Sequence, residues 1–166
     1  VSADISARRL DLDLITRVFD IGNITGRVDM DLQDLETYGN RATAFDFSIR
    51  NTPGDRTKRR ISQRAVENLS NIGGGGGGGG VARALQNGAL RFFDTFIYDE
   101  IGLSCRLRND VCVMGGVGEA KHGFYIVKGF GAPRIDIIGI NHRVDWPRLV
   151  SQIGTAIRNS DGIVID

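Results

Sequence analysis

A chain of 166 residues, 25% of them charged and 41% hydrophobic, is long enough for one domain with a real core, since a domain near this size buries roughly 68–70% of its unfolded surface. Twenty-one basic against twenty acidic side chains leave a net charge of +1, so no global field draws it to polyanions and nucleic acid is not expected as a partner. No run approaches the roughly 20 apolar residues of a membrane-spanning helix. The opening at Val1, without Met or a basic-then-apolar leader, reads as a segment of something longer.

The first fifty residues alternate at period two. Leu10, Leu12 and Leu14 alternate with Asp11 and Asp13, Val28, Met30 and Leu32 with Asp29 and Asp31, and Phe45, Phe47 and Ile49 with Asp46 and Ser48. Successive strand side chains point to opposite faces, so each segment predicts a strand with one apolar and one wet face. Gly22-Asn23 and Tyr38-Gly39-Asn40 supply turn chemistry between them, and residues 1–52 read as an antiparallel meander.

Pro53-Gly54-Asp55 ends that sheet, and residues 53–96 read as a helical insertion. Ile61, Ala65, Leu69 and Ile72 form one stripe, and Val81, Leu85, Ala89, Phe92 and Phe96 a second. Each is too narrow for an independent helical core, so both are expected to lie on sheet, with Phe92 buried. Between them Gly73–Gly80 is the composition of a flexible linker reaching about 14–17 Å, or of a backbone that must pass close to another. It is no phosphate loop, because Val81-Ala82-Arg83 stands where Lys-Ser/Thr is needed. Residues 97–145 return to β through Leu103–Leu107, Val111–Met114, Phe124–Lys128 and Ile135–Ile140. Asp145 and Pro147 open a helix over 146–158 with Trp146, Leu149, Val150, Ile153 and Ile157 as its buried stripe.

Across the turn at Arg108-Asn109-Asp110, an even-length loop sets Cys105 opposite Cys112, Leu103 opposite Met114 and Arg106 opposite Val111. Opposed positions come near disulfide geometry. Two reduced, half-buried cysteines are the alternative, and a zinc site with His122 and His142 lacks finger or ribbon spacing. The dense basic stretch at Arg56, Lys58, Arg59 and Arg60 is either a solvated lead into a helix or a contact for phospholipid headgroups, each such charge being worth about 1 kcal/mol near an anionic membrane. Gly102-Leu103-Ser104-Cys105-Arg106 lacks the second glycine of a nucleophile elbow, and Asp11, Asp13, Asp29 and Asp31 have the spacing of exterior charge. No acid, base and nucleophile assemble, so neither an enzyme, a cofactor nor a metal is expected.

Three stretches are more specific than composition. Leu10–Asp13 with Gly22–Val28, Ile61–Asn68 running into the glycines, and Leu103–Asn109 with Val111-Cys112 together resemble the C-terminal region of AsmA/TamB-like bacterial envelope proteins, particularly the YdbH-like branch. Gly123–Gly129 and Arg143–Trp146 extend the resemblance over nearly the whole chain. It implies a periplasmic protein, anchored at its N-terminus in the inner membrane, whose curled antiparallel sheet forms an open, β-taco-like groove with about three helices packed on it. Such a groove passes phospholipid toward the outer membrane. The lipid-facing candidates are then Leu10, Leu12, Leu14, Val28, Met30, Leu32, Phe45, Phe47 and Ile49. An interaction module that caps the groove and docks an outer-membrane protein or lipoprotein by strand addition is the alternative, and the remainder of its own longer chain is a further partner. The same alternation would suit a closed sandwich.

Overall fold

A computed structural model describes residues 2–72 and 92–159. The chain is mostly antiparallel sheet, 52% strand, with three helices among the described residues and a sheet that does not close on itself. β1 (Ala3–Asp11) is followed by α1 (Leu12–Val18), the long strands β2 (Arg27–Tyr38) and β3 (Arg41–Asn51), the short β4 (Arg60–Ser62) and α2 (Gln63–Ile72). Then come β5 (Thr95–Arg108), β6 (Val111–Gly115), β7 (Glu119–Ala120), β8 (Gly123–Gly129), β9 (Ile137–Gly139), β10 (Arg143–Asp145) and α3 (Trp146–Asn159). The main path through the sheet is β1-β2-β3-β5-β6-β10, and β5 also pairs with β4 and β8.

β5 belongs to two layers. Its first half pairs Ile61 with Phe96 and Val127 with Ile101, while its second half pairs Phe47 with Cys105 and Leu107 with Cys112. A register shift between Tyr98 and Glu100 marks the corner, and the Asn51 side-chain oxygen accepts the Ile101 amide there at 2.7 Å. Bulges bend a strand and let it pass from one layer to the next. In the angle so formed lies the core, with Ile61, Val66, Phe96, Tyr98, Leu107, Cys112, Phe124, Val127 and Ile137 all nearly or fully buried.

Several expected elements differ in the structure. Leu12 and Leu14 are helical rather than strand, because the Asp11 carboxylate caps α1 by accepting the Asp13 amide at 2.9 Å, and Asp13 and Arg17 sit at the ends favoured by the helix dipole. The return from α1 needs Gly22, at φ +133°, where an added Cβ would lie 2.6 Å from the Ala65 nitrogen. Ile61 is in β4 rather than on the helix, whose buried residues are Ala65, Val66 and Ser70, and Ile72 is exposed. Of the second stripe, Val81, Leu85 and Ala89, like the run Gly73–Gly80, lie outside the described residues. Phe92 is 75% exposed rather than buried, and Phe96 is a buried strand residue of β5.

The terminal helix begins where expected, the Asp145 carboxylate accepting the Arg148 amide at 2.8 Å. Its stripe is only partly covered: Trp146 meets Phe45 edge-on at 5.1 Å and Leu149 is buried, but Val150 and Ile153 are exposed. The side chain of Ile157 lies outside the described residues.

Cys105 and Cys112 form a disulfide, with Cα atoms 5.5 Å apart, inside the range such bonds need. They are not directly opposed. The turn is the two-residue pair Asn109-Asp110, both at positive φ, which is the type I′ geometry that matches strand twist. That turn sets Arg108 opposite Val111, Leu107 opposite Cys112 and Cys105 opposite Met114. The bond is therefore diagonal, between buried residues on the same face.

Candidate functional site

Cross-strand register assembles one apolar face over β1, β2, β3, β5 and β6. Ala7, Met30, Ile49 and Leu103 lie in one row, and Ile5, Leu32, Phe47, Cys105 and Met114 in the next. Leu10 opposes Val28, and Phe45 opposes Leu107, which opposes Cys112. Strands stand about 4.8 Å apart, so the part spanning β1 to β5 is about 14 Å wide.

Coverage of this face is uneven. Val28 and Phe45, like Leu107, Cys112 and Met114 further along the face, are buried. Leu10, Met30, Leu32, Phe47, Ile49 and Leu103 are half-buried, and Ile5 is 48% exposed. The reason lies in where the helices seat: the main contacts of α2 are with β4 and β9, and those of α3 are with β10. Among the nine expected lipid-facing residues, seven thus share the face. Leu12 departs because it enters the core from α1, and Leu14 because it is 60% exposed on the outer side of that helix.

Ile5, Ala7 and Leu103 also belong to the face, outside the nine expected lipid-facing residues. Ile5 and Ala7 do alternate with Ser6 and Arg8, but the parity breaks at Arg9, whose φ of +55° accompanies a register shift between Ala7 and Leu10. Both residues stay on the apolar face because of that bulge, which alternation alone does not reveal.

The opposite face is a ladder of charge. Arg8 reaches Asp31 at 2.7 Å, and Asp46 accepts from Arg106 at 3.0 Å and lies 3.4 Å from Arg108. Hydrogen bonds from the Arg8 guanidinium and the Ser6 hydroxyl hold the Asp31 carboxyl below its usual range, and the Arg9 amide and Thr52 hydroxyl do the same for Asp29. These acids brace strands from the wet side.

Two concavities lie elsewhere. The larger, about 470 Å³, is at the corner of β5, lined by Arg50, Asn51, Arg59, Glu100 and the turn Gly116–Gly118. The smaller, about 270 Å³, lies between the end of α2 and the start of α3. Among the described residues no three His, Cys, Asp or Glu side chains gather as a metal-binding group. The cysteines are spent in their disulfide, while His142 sits 3.4 Å from Glu119 and stacks near Phe124.

Of the four basic candidates, Arg56 and Lys58 are exposed in the loop before β4 and Arg60 is exposed at the first position of β4. Arg59 differs. It is half-buried and donates to the Asp99 carbonyl at 2.6 Å, tying the loop to the corner of β5. Asp55 anchors the same loop: burial works against its charge, but the Thr57 hydroxyl and amide and the Arg27 amide bring its carboxyl below the usual range.

Comparison with known protein families, with curated proteins and with solved structures finds no match.

Proposed function

We propose that this chain is the C-terminal part of an AsmA/TamB-like envelope protein and that the half-open apolar face shields the acyl chains of phospholipid on their way between two membranes. One observation carries the reading: the rows through Met30 and Leu32 run in register across β1, β2 and β3 with Met30, Leu32, Phe47 and Ile49 only half-covered, and they close only where the second row reaches Cys105 on β5. A sheet that is apolar on one face and wet on the other normally buries the apolar one, and contiguous exposed apolar surface marks a binding site. The disulfide fits an oxidising compartment such as the periplasm. In this reading no side chain performs chemistry, and the face acts as a low-polarity wall.

A photo-crosslinking residue in place of Met30 or Phe47, in cells expressing the protein, should capture phospholipid. The same residue in place of Asp31 or Ser48, on the opposite face, should not. Capture from both faces alike would mean unspecific membrane contact, and capture from neither would remove the conduit reading.

A second reading is supported by the exposed Val150 and Ile153 on α3 and by β1, an edge strand paired only with β2 among the described residues. These would serve a module that docks an outer-membrane partner. The bulges in β1 and its Arg8 and Arg9 weigh against strand addition there, because twist and charge are how edges are kept from pairing.

A further inference from the structure

We infer that the end of the sheet carrying α1 and the β3–β4 loop is a docking surface for an anionic lipid bilayer. This goes beyond the conduit reading, because it concerns the end of the sheet and not its apolar face.

Two features meet there. The first is an apolar knuckle: Leu14 and Val18, one turn apart on α1, are 60% and 65% exposed, and Phe19 at the helix end is 48% exposed. Side chains four apart share a helix face, so the outer side of α1 presents Leu14 and Val18, with the Asp13-paired Arg17 beside them, where the inner side, with Leu12 and Thr16, is buried. The second feature is a basic stretch, Arg56 and Lys58 in the β3–β4 loop and Arg60 at the start of β4, whose three side chains are exposed and form no ion pair among the described residues.

The fold ties together the segments that carry them. Leu12 donates its amide to the Gly26 carbonyl at 3.0 Å, the Thr25 hydroxyl donates to the Lys58 carbonyl at 2.7 Å, and Ile24 bridges to Ile61. The segment after α1 is thereby sewn to the basic loop, and Arg64 of α2 pairs with Asp20 at 2.8 Å beside it. Residues 11–27 and 50–64, which make this end, hold eight basic and four acidic side chains in a chain of net charge +1. An apolar protrusion beside unpaired cations is complementary to one surface above others, namely hydrocarbon under a layer of negative headgroups. An acidic protein would match the charges but leave the knuckle without a greasy layer to enter.

The test uses the whole chain and sedimentation with vesicles of phosphatidylcholine, with or without about one quarter phosphatidylglycerol. Binding is expected with the anionic vesicles and should weaken with salt. Arg56→Gln and Lys58→Gln should each lower the affinity roughly five-fold. Leu14→Ser with Val18→Ser, surface changes that leave the circular dichroism intact, should lower it roughly ten-fold or more. Equal binding to neutral vesicles, no binding to either, or anionic binding indifferent to the knuckle substitutions would each overturn the inference. Vesicle binding reads the end of the sheet and lipid capture at Met30 reads its face, so either can fail without the other.

Discussion

The two halves of β5 have the same kind of sequence and different neighbours, and the face that the second half joins is covered at Cys105 and Leu107 but half-open from Leu103 toward β1. Around Phe96, Tyr98 and Ile101 the strand is flanked by β4 and β8, and its apolar side chains are buried in the core with Phe124, Val127 and Ile137. Around Leu103 the strand lies beside β3, in a sheet whose apolar face is half-covered as far as β1. Both halves alternate apolar with polar, so alternation does not decide which one closes. A face closes when a second layer is folded over it, and here β8, with β9 beyond it, pairs with the first half of β5 on one side of the corner at Tyr98–Glu100, while β3 and β6 flank the second half.

The largest expected effect distinguishes the regions directly. Phe124→Ala, at a side chain 1% exposed, should cost about 3–5 kcal/mol, the range for a buried aromatic that leaves a cavity. Phe47→Ala, on the half-covered face, should cost about 1–2 kcal/mol, since part of its surface already meets solvent and little cavity remains. Urea unfolding midpoints measure both. Equal losses would mean that the face around Phe47 is closed and the contrast is wrong.

Next in size is the clamp at the far end of β5. Cys105 and Cys112 close a loop with a sequence separation of 7, and cross-links over so short a loop stabilise by about 2–3 kcal/mol. Reduction should lower the melting temperature by about 5–10 °C for a domain of this size while leaving the sheet folded. Two thiols titrating in denatured protein that has never met reductant would show that the bond does not form.

The smallest effect sharpens the closed side. The Tyr98 hydroxyl donates to the Thr25 carbonyl at 2.6 Å, and burial pushes its ionisation up to about 12, with Asn51 and Arg59 pulling the other way. An unfolded tyrosine ionises at about 10. Because the folded value is the higher one, this contribution to stability is fully present below pH ~10 and is lost as pH rises toward 12. Tyr98→Phe should cost about 1 kcal/mol near neutrality through the lost hydrogen bond and should show a shallower decline of stability across that alkaline window. Parallel declines in the two proteins would place Tyr98 in water.

The sequence by itself determined the period-two strands β2, β3, β5, β6 and β8, the capped start of the last helix, and the pairing partners of the disulfide. These follow from local rules: opposite faces for successive side chains, a carboxylate for orphan amides, and a short turn that returns the chain beside itself. Other features were present in the sequence but ambiguous. Leu10, Leu12 and Leu14 alternate as a strand does, yet Leu12 and Thr16 also sit a helical step apart, and only the Asp11 cap and the packing of Leu12 into the core choose the helix. Register in the Cys105–Cys112 hairpin turned on whether Asn109-Asp110 alone made the turn, a two-residue difference that moves every cross-strand partner. What tertiary structure alone decided is exposure. Met30 and Phe47 carry the same apolar signal as Val28 and Phe45, and they remain half-open because the helices seat on β4, β9 and β10. Hydrophobic burial is roughly proportional to area and indifferent to direction, so a sequence states that a face seeks cover and leaves the source of that cover to the rest of the fold.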